Sequence, residues 1–438
     1  MRTITSPLLK GGKYKIVVPD AWDGTLILYS QGPPAPQEEP VWRSTPVVES
    51  FLARGYAVAG WASPMFWPLE QSFETQAIVL DDFAQAFREP ERTIAYGQSI
   101  GGIITAGLVQ RHGARLSGAL AVCGPLAGGV ATHNRELDIA FIFKTLIAPQ
   151  SALEVSDITD PESNLRLALT LLESAASTHQ GRARLALVAA VTNVPAAADP
   201  RESVPLPTDP QSRLNAQIRW FREIVFLVTF SARASVERRA GGNASWNEGV
   251  DYAQLLARSA TRDIAEALYA DAGLSLREDL DVLAAAPRIA ADPERVRYLA
   301  RFVAFNGDIE GVPVVTMHTT GDGLCTPDHE RAYADVVHAE GNAAWLRQLW
   351  ITRGGHCTFT LAETLTALDL LQARIDAHRW PTTEPAALNE AAAVLGLAQN
   401  ALFDPHRPDE AVARPPQFGH FEPGPFPRPY DARMFGGS

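Results

Sequence analysis

The sequence predicts an α/β fold: a mostly parallel central sheet covered by helices and interrupted by a large helical insertion. Three observations carry this. Short β-rich runs alternate with helical stretches over about residues 1–129, helical character is almost unbroken from there to about 311, and a strong strand signal then returns. Strands alternating with helices at this spacing imply a parallel sheet with both faces buried. Two sequential domains would orphan the late strands, so one core split by an insertion is the economical reading.

Each element has its own local signature. KYKIVV (13–18) and TLILYS (25–30) are short β-rich runs bounded by Gly, Pro and Asp, as strands are. VVESFLARG (47–55) has apolar residues at helical spacing and a closing glycine. YAVAGW (56–61) reads as a buried strand, 73–87 as a helix, and RTIAYG (92–97) as a strand again. GIITAGLVQRHG then reads as a helix burying Ile103, Ile104 and Leu108, and GALAVCG (118–124) as another strand. After the insertion come the strand VPVVTMHTTGD (312–322), a helix over about 328–339, and the strand AWLRQLWIT (344–352). The expected domains are a core of 1–129 with 312–380, a helical lid over 130–311, and a C-terminal helix with a tail over 381–438. That tail, RPPQFGHFEPGPFPRPYDARMFGGS, has the composition either of an extended polyproline segment lying over a surface or across a partner copy, or of a loosely ordered terminus.

Composition excludes several function classes. With 46% apolar and 20% charged residues the 438-residue chain is ordinary for a globular protein. A net charge of −12 with no basic stripe argues against nucleic-acid binding. The longest apolar runs, such as IVFLVTF, are too short to span a bilayer, and the start has no signal-peptide pattern. Three cysteines are too few for a disulfide scaffold, so a cytoplasmic location is expected. No metal-ligand cluster or phosphate-binding glycine loop appears, so neither metal nor organic cofactor is expected.

The chemistry centres on TIAYGQSIGGIITAGL (93–108), which sets Ser99 between Gly97 and Gly101. A chain of this length meets Gly-x-Ser-x-Gly by chance roughly one time in seven or eight, so the motif alone decides nothing. Its context does. Ser99 stands between a strand and a helix, where a tight turn thrusts a hydroxyl above the sheet and the flanking positions must lack bulk. The helix start aims unpaired amides and its positive dipole end at the same spot. Ser99 is therefore read as a nucleophile.

In YGQSIGG, and in the acid and histidine downstream of it, the chain resembles the α/β-hydrolase superfamily, over about 1–129 and 312–380. The resemblance implies a triad in the order Ser, acid, His. Asp322 comes after a strong strand in a Gly-Asp-Gly turn, and His356 lies in the glycine-rich loop of LWITRGGHCTFT; both match the expected positions. In these roles His356 is the base and Asp322 fixes its tautomer. His318, inside a strand, reads as a packed histidine, whereas His133, His329 and His338 read as surface residues. Asp138 and Lys144 read as structural, and Asp308 and Glu310 lie at the wrong end of their strand for catalysis.

An oxyanion hole needs two donors. The Ile100 amide is one. The second is expected after TLILYS, where Pro33 has no N–H, so Gln31 takes the place, with Gly32 and the Tyr29 hydroxyl as alternatives. The loop GWASPMFWPLE supplies Trp61, Phe66 and Trp67 as candidate walls of an apolar pocket or as anchors of the lid. His356-Cys357 resembles the tannase and feruloyl-esterase group, in which the cysteine after the histidine pairs with one before the serine. Gln98 stands at that place here, so the link is not expected; Cys325 could lie near Cys357, with both as buried thiols.

The expectation is a serine hydrolase acting on a medium-sized carboxylic ester or lactone through an acyl-enzyme. An acyltransferase with the same triad, a peptidase, and a non-catalytic binding protein of the same fold are the alternatives. The expected partner is a small-molecule substrate, with no nucleic acid or membrane, and a homo-oligomer could form through the tail.

Overall fold

The computed structural model describes residues 1–7, 13–32, 42, 45–201, 207–403 and 412–431. Strands β1 (Arg2–Pro7), β2 (Lys13–Val18), β3 (Thr25–Ser30), β4 (Ala57–Ala62), β5 (Arg92–Gln98), β6 (Gly118–Val122), β7 (Val314–Gly321) and β8 (Leu346–Gly354) build one sheet. Its order is β1-β2-β4-β3-β5-β6-β7-β8, closed at the far edge by the short strand Phe418–Gly419. From β4 to β8 every pairing is parallel, while β1 and β2 pair antiparallel with each other and β2 antiparallel with β4.

Alternation along these strands sorts the core into two layers. Leu26, Leu28, Ala57, Ala59, Ala95, Ala119 and Val314 face one side, where helices α2 (Leu69–Ala86) and α3 (Ile100–His112) cover them. Their neighbours Ile27, Val58, Ile94, Leu120, Val315 and Met317 face the other, beneath α1 (Pro46–Ala53) and the helix Leu361–Ala377. β3 and β4 are buried along their whole length, as interior parallel strands are. Helix α1 starts where Pro46 presets the backbone and the Thr45 hydroxyl accepts the Val48 amide at 3.3 Å.

Between β6 and β7 the described residues hold helices and no strand, from α4 (Gly129–Ile147) to the helix Pro293–Val303. This block has its own core, in which Phe226 packs edge-to-face against both Phe143 and Phe230 at 4.9 Å between centroids. The run IVFLVTF falls within the stretch whose sequence is almost unbroken in helical character. Two π-helical turns interrupt it, Phe221–Val225 and Val228–Ala232. Helix α4 is buried along almost its whole length. Beside it Arg233, itself buried, donates to Glu237 at 2.7 Å, to the His133 carbonyl and to Asn243. No helix among the described residues is long and apolar enough to cross a membrane.

The tail packs on its own chain. Phe418 pairs with Ile351 at the sheet edge, and residues 425–428 then run onto the helical block. Arg428 Nη1 lies 2.8 Å from both carboxylate oxygens of Asp138, and Arg258 donates to the Pro427 carbonyl at 3.2 Å. Phe426 is buried against His329, ring centroids 4.6 Å apart. Two histidines expected on the surface, His133 and His329, are therefore corrected to buried positions: α4 lies inside the helical block, and the tail covers His329.

Candidate active site

The turn between β5 and α3 carries Ser99 at φ 58°, ψ −124°, a backbone region costly for any residue with a Cβ. Its surroundings hold it there. A Cβ on Gly97 would stand 2.3 Å from the Gly101 carbonyl oxygen, and one on Gly101 would stand 2.0 Å from that of Ser30. The two glycines are thus required for strand and helix to meet, and the strained turn pushes the serine hydroxyl out above the sheet. The Ser99 amide donates to the Val122 carbonyl at 2.9 Å, which locks the turn to β6.

Asp322 lies just past β7. One carboxylate oxygen accepts the amides of Leu324 at 2.9 Å and Cys325 at 3.0 Å, which fixes its plane. The other lies 2.6 Å from His356 Nδ1. On the far side of the imidazole, Nε2 is 2.8 Å from Ser99 Oγ. Three side chains from turns after β5, β7 and β8 thus form one hydrogen-bonded chain, with Asp322 fully buried and Ser99 facing a cleft.

The loop bearing His356 is braced from several sides. Arg353, buried, makes a two-pronged pair with Glu363 at 2.8 and 2.9 Å and donates to the Thr358 carbonyl. Thr319 donates to the Gly355 carbonyl at 2.6 Å. Cys357, next to the histidine, is disulfide-bonded to Cys123 at the end of β6. This corrects the expectation of two thiols at Cys325 and Cys357: Cys325 is the free cysteine, and it is buried. Gln98, the residue before Ser99, pairs in register with Val122, so Cys123, one residue further, stands level with Ser99 on the neighbouring strand. That register is the signal the linear sequence lacks.

His318 is a packed histidine with a larger electrostatic role than its strand position suggests. Fully buried, it lies 3.1 Å from Glu330 through Nδ1 and 3.5 Å from Asp322 through Nε2, which also contacts the Cys325 carbonyl at 2.6 Å. Burial works against its charge, but hydrogen bonding to Asp322 and Glu330 outweighs this and raises its pKa to about 10. Asp322 is affected in turn. Burial pushes its pKa up, but the charges of His356 and His318 and their hydrogen bonds hold it well below the usual carboxylate range.

The remaining candidates divide. Ile100 opens α3, where first-turn amides have no acceptor within the helix. Gln31 and Gly32 press on the same turn: a Cβ on Gly32 would stand 2.4 Å from the Gln98 carbonyl oxygen and 3.2 Å from Ser99 Cβ. Pro33 lies outside the described residues. Phe66 and Trp67 line the cleft with Ser99 and Ile100. Trp61 does not; it sits on β4 opposite Tyr14 and packs in the core beneath α2, which corrects its assignment to the pocket. The far wall comes from α4 and the π-helical turns, through Thr132, Arg135, Val228 and Thr229. Larger open grooves elsewhere, such as the one between Trp350 and His420, hold none of the three hydrogen-bonded residues.

Strand order, a glycine-flanked serine strained at the head of a helix, and acid and histidine on the loops after β7 and β8 are the features of the α/β-hydrolase fold. No protein-family model matches this chain. It is 29% identical over 426 residues to an o-phthalyl amidase of Xanthobacter agilis, with 90% of this chain and 91% of that protein aligned. Among solved structures it is similar to feruloyl esterase B of Aspergillus oryzae, at 12% identity and TM-score 0.44 over 86% of this chain and 82% of that one. A second esterase of Aspergillus oryzae gives 12% identity and TM-score 0.42 over 86% and 80%.

Proposed function

We propose that the chain is a serine hydrolase that cleaves a carboxylic ester or amide through an acyl-enzyme. The observation that carries this is the unbroken hydrogen-bonded line from Asp322 through His356 to Ser99. With Nδ1–H donated to Asp322, the imidazole is fixed in the tautomer whose Nε2 can accept the serine proton. Ser99 Oγ attacks the substrate carbonyl as its proton passes to His356 Nε2. The C–O or C–N bond then breaks, and the same proton leaves with the alcohol or amine. Water next attacks the acyl-serine, giving its proton to His356, and the acid departs as Ser99 recovers its hydrogen. The depressed pKa of Asp322 keeps it anionic throughout, so it stabilises the imidazolium of each step.

The amides of Ile100 and of Gln31 or Gly32 are proposed as the donors to the carbonyl oxygen, each of which would contribute roughly a hundred- to a thousandfold in rate. The helical block serves as a lid that keeps water from the cleft. Likeness to an amidase over nine-tenths of the chain extends the ester and lactone expectation to amides, and an o-phthalyl amide is the first substrate to try. The test is a matched series of 4-nitrophenyl esters and 4-nitroanilides on the wild type and on Ser99→Ala. Turnover that requires Ser99 supports the reading; turnover surviving the substitution contradicts it.

A further inference from the structure

Arg135, on α4, is a buried cation on the wall of the cleft that Ser99 opens into. Its contacts are all carbonyl oxygens: Nε donates to Thr192 at 2.8 Å, Nη1 to Leu324 and Nη2 to Gly323, both at 3.2 Å. A guanidinium has five N–H bonds, so each terminal nitrogen retains one more hydrogen. Among the described residues no carboxylate lies within ion-pair distance of it, in contrast to the buried Arg233 and Arg353; Arg374, also buried, lies instead against the rings of Trp345 and Trp380, away from the cleft. A buried charge with no directly paired carboxylate is costly, and burial works against this guanidinium, partly offset by the more distant charges of Asp328, Glu136 and Asp322.

A second, independent feature shares that wall. The Thr229 hydroxyl is completely buried, lines the same cleft and has no partner among the described residues. It stands on the second π-helical turn, a distortion that often marks a functional position in a helix. Glu136 is the other charged group on this wall, and it is already engaged by His133 Nδ1 at 2.7 Å. Apolar side chains, Phe66, Ile139 and Val228, line the same cleft. The enclosed part of the cleft is small, about 50 Å³, which suits a compact acid group rather than a long acyl chain.

We propose that Arg135 and Thr229 form a subsite for a carboxylate on the substrate itself, so that the enzyme acts on half-esters or half-amides of compact dicarboxylic acids. Arg135 is then a specificity-determining residue, offering a donor from each terminal nitrogen, and Thr229 adds a third donor. The apolar residues of the cleft then carry the carbon frame that joins this carboxylate to the scissile carbonyl. The inference rests on Ser99 as the nucleophile, because it takes the cleft at Ser99 to be the substrate cleft.

Two measurements test it. The first compares kcat/KM for the mono-4-nitroanilides of glutaric and benzene-1,2-dicarboxylic acids with analogues in which a neutral carboxamide replaces the free carboxylate. The wild type should favour the carboxylates at least tenfold, and the preference should fall below threefold in Arg135→Gln and weaken in Thr229→Val. Because Arg135 also holds the carbonyls beside Asp322, its variant is expected to lose rate on every substrate; the ratio isolates recognition from that loss. The second measures binding of benzene-1,2-dicarboxylate and of its monocarboxamide to the Ser99→Ala protein by calorimetry, which needs no turnover. At least fivefold tighter binding of the dicarboxylate, lost with Thr229→Val or Arg135→Gln in addition, supports the subsite. Equal binding of the two, or a preference that survives both substitutions, overturns it. Hydrolysis of charged and neutral anilides alike, dependent on Ser99, would overturn the subsite and leave the hydrolase reading standing.

Discussion

Cys123, the residue after β6, is disulfide-bonded to Cys357, the residue after His356. The bridge spans 234 residues of sequence and ties the histidine loop to the strand beside the Ser99 turn. Removing such a link costs roughly 2–5 kcal/mol in stability. Reduction, or Cys123→Ser, is therefore expected to lower the melting temperature and to reduce kcat as the imidazole loses its fixed place. Thiol titration alongside an activity assay checks this; full activity in protein whose bridge is quantitatively open would contradict it.

His318 makes stability depend on alkaline pH. Its pKa is raised from 6.5 to about 10, so the folded state binds this proton more tightly than the unfolded chain does. The resulting stabilisation is complete below about pH 6.5 and disappears as pH climbs through about 10. Asp322 acts in the opposite sense, since its depressed pKa gives a contribution present above pH 3.8 that is lost as the solution becomes more acidic. Urea unfolding across about pH 6 to 10 should show the alkaline decline in the wild type and a flatter profile in His318→Gln. Identical slopes would remove His318 from the account.

Asp322→Asn preserves shape while removing the charge and the tautomer preference imposed on His356. A loss on the order of ten-thousandfold in kcat is expected, with little change in KM. A drop below tenfold would show that Asp322 does not orient the base.

Arg428 and Asp138 clamp the tail to the helical block. Asp138 is buried, and its neighbours besides Arg428 include Tyr252, whose hydroxyl donates at 2.9 Å. Burial raises the Asp138 pKa, opposed by the charge and hydrogen bonds of Arg428. Arg428→Ala leaves that carboxylate without its cation, at a cost of about 3 kcal/mol. Chemical denaturation should register it, and Asp138→Asn in the same chain should recover part of the loss.

The strands and the three distant site residues were legible because each left a local mark: apolar runs cut by glycine, a serine between glycines, and an acid and a histidine just past strong strands. What escaped depends on register and tertiary cover. Cys123 and Cys357 are partners because β5 and β6 lie side by side with Gln98 against Val122, a relation absent from the linear text. Trp61 and Trp67 look alike in one aromatic loop, yet strand alternation sends the first into the core while the second lines the cleft. His133 and His329 carry surface-like helical patterns, and only packing by the helical block and by Phe426 buries them. Strand β1, largely polar in sequence as RTITSP, is held by pairing with β2, with Ile4 its one apolar contact with the core. Arg135 is one arginine among many until its burial on the wall of the cleft at Ser99 sets it apart.

The central claim is that His356 makes the Ser99 hydroxyl a nucleophile, and a fluorophosphonate reads it directly. Intact-mass analysis of the full chain should show one adduct, mapped to Ser99 by peptide sequencing, with labelling abolished in Ser99→Ala and slowed at least a hundredfold in His356→Gln. An unlabelled wild-type protein, or an adduct that forms as fast without His356, would contradict the account.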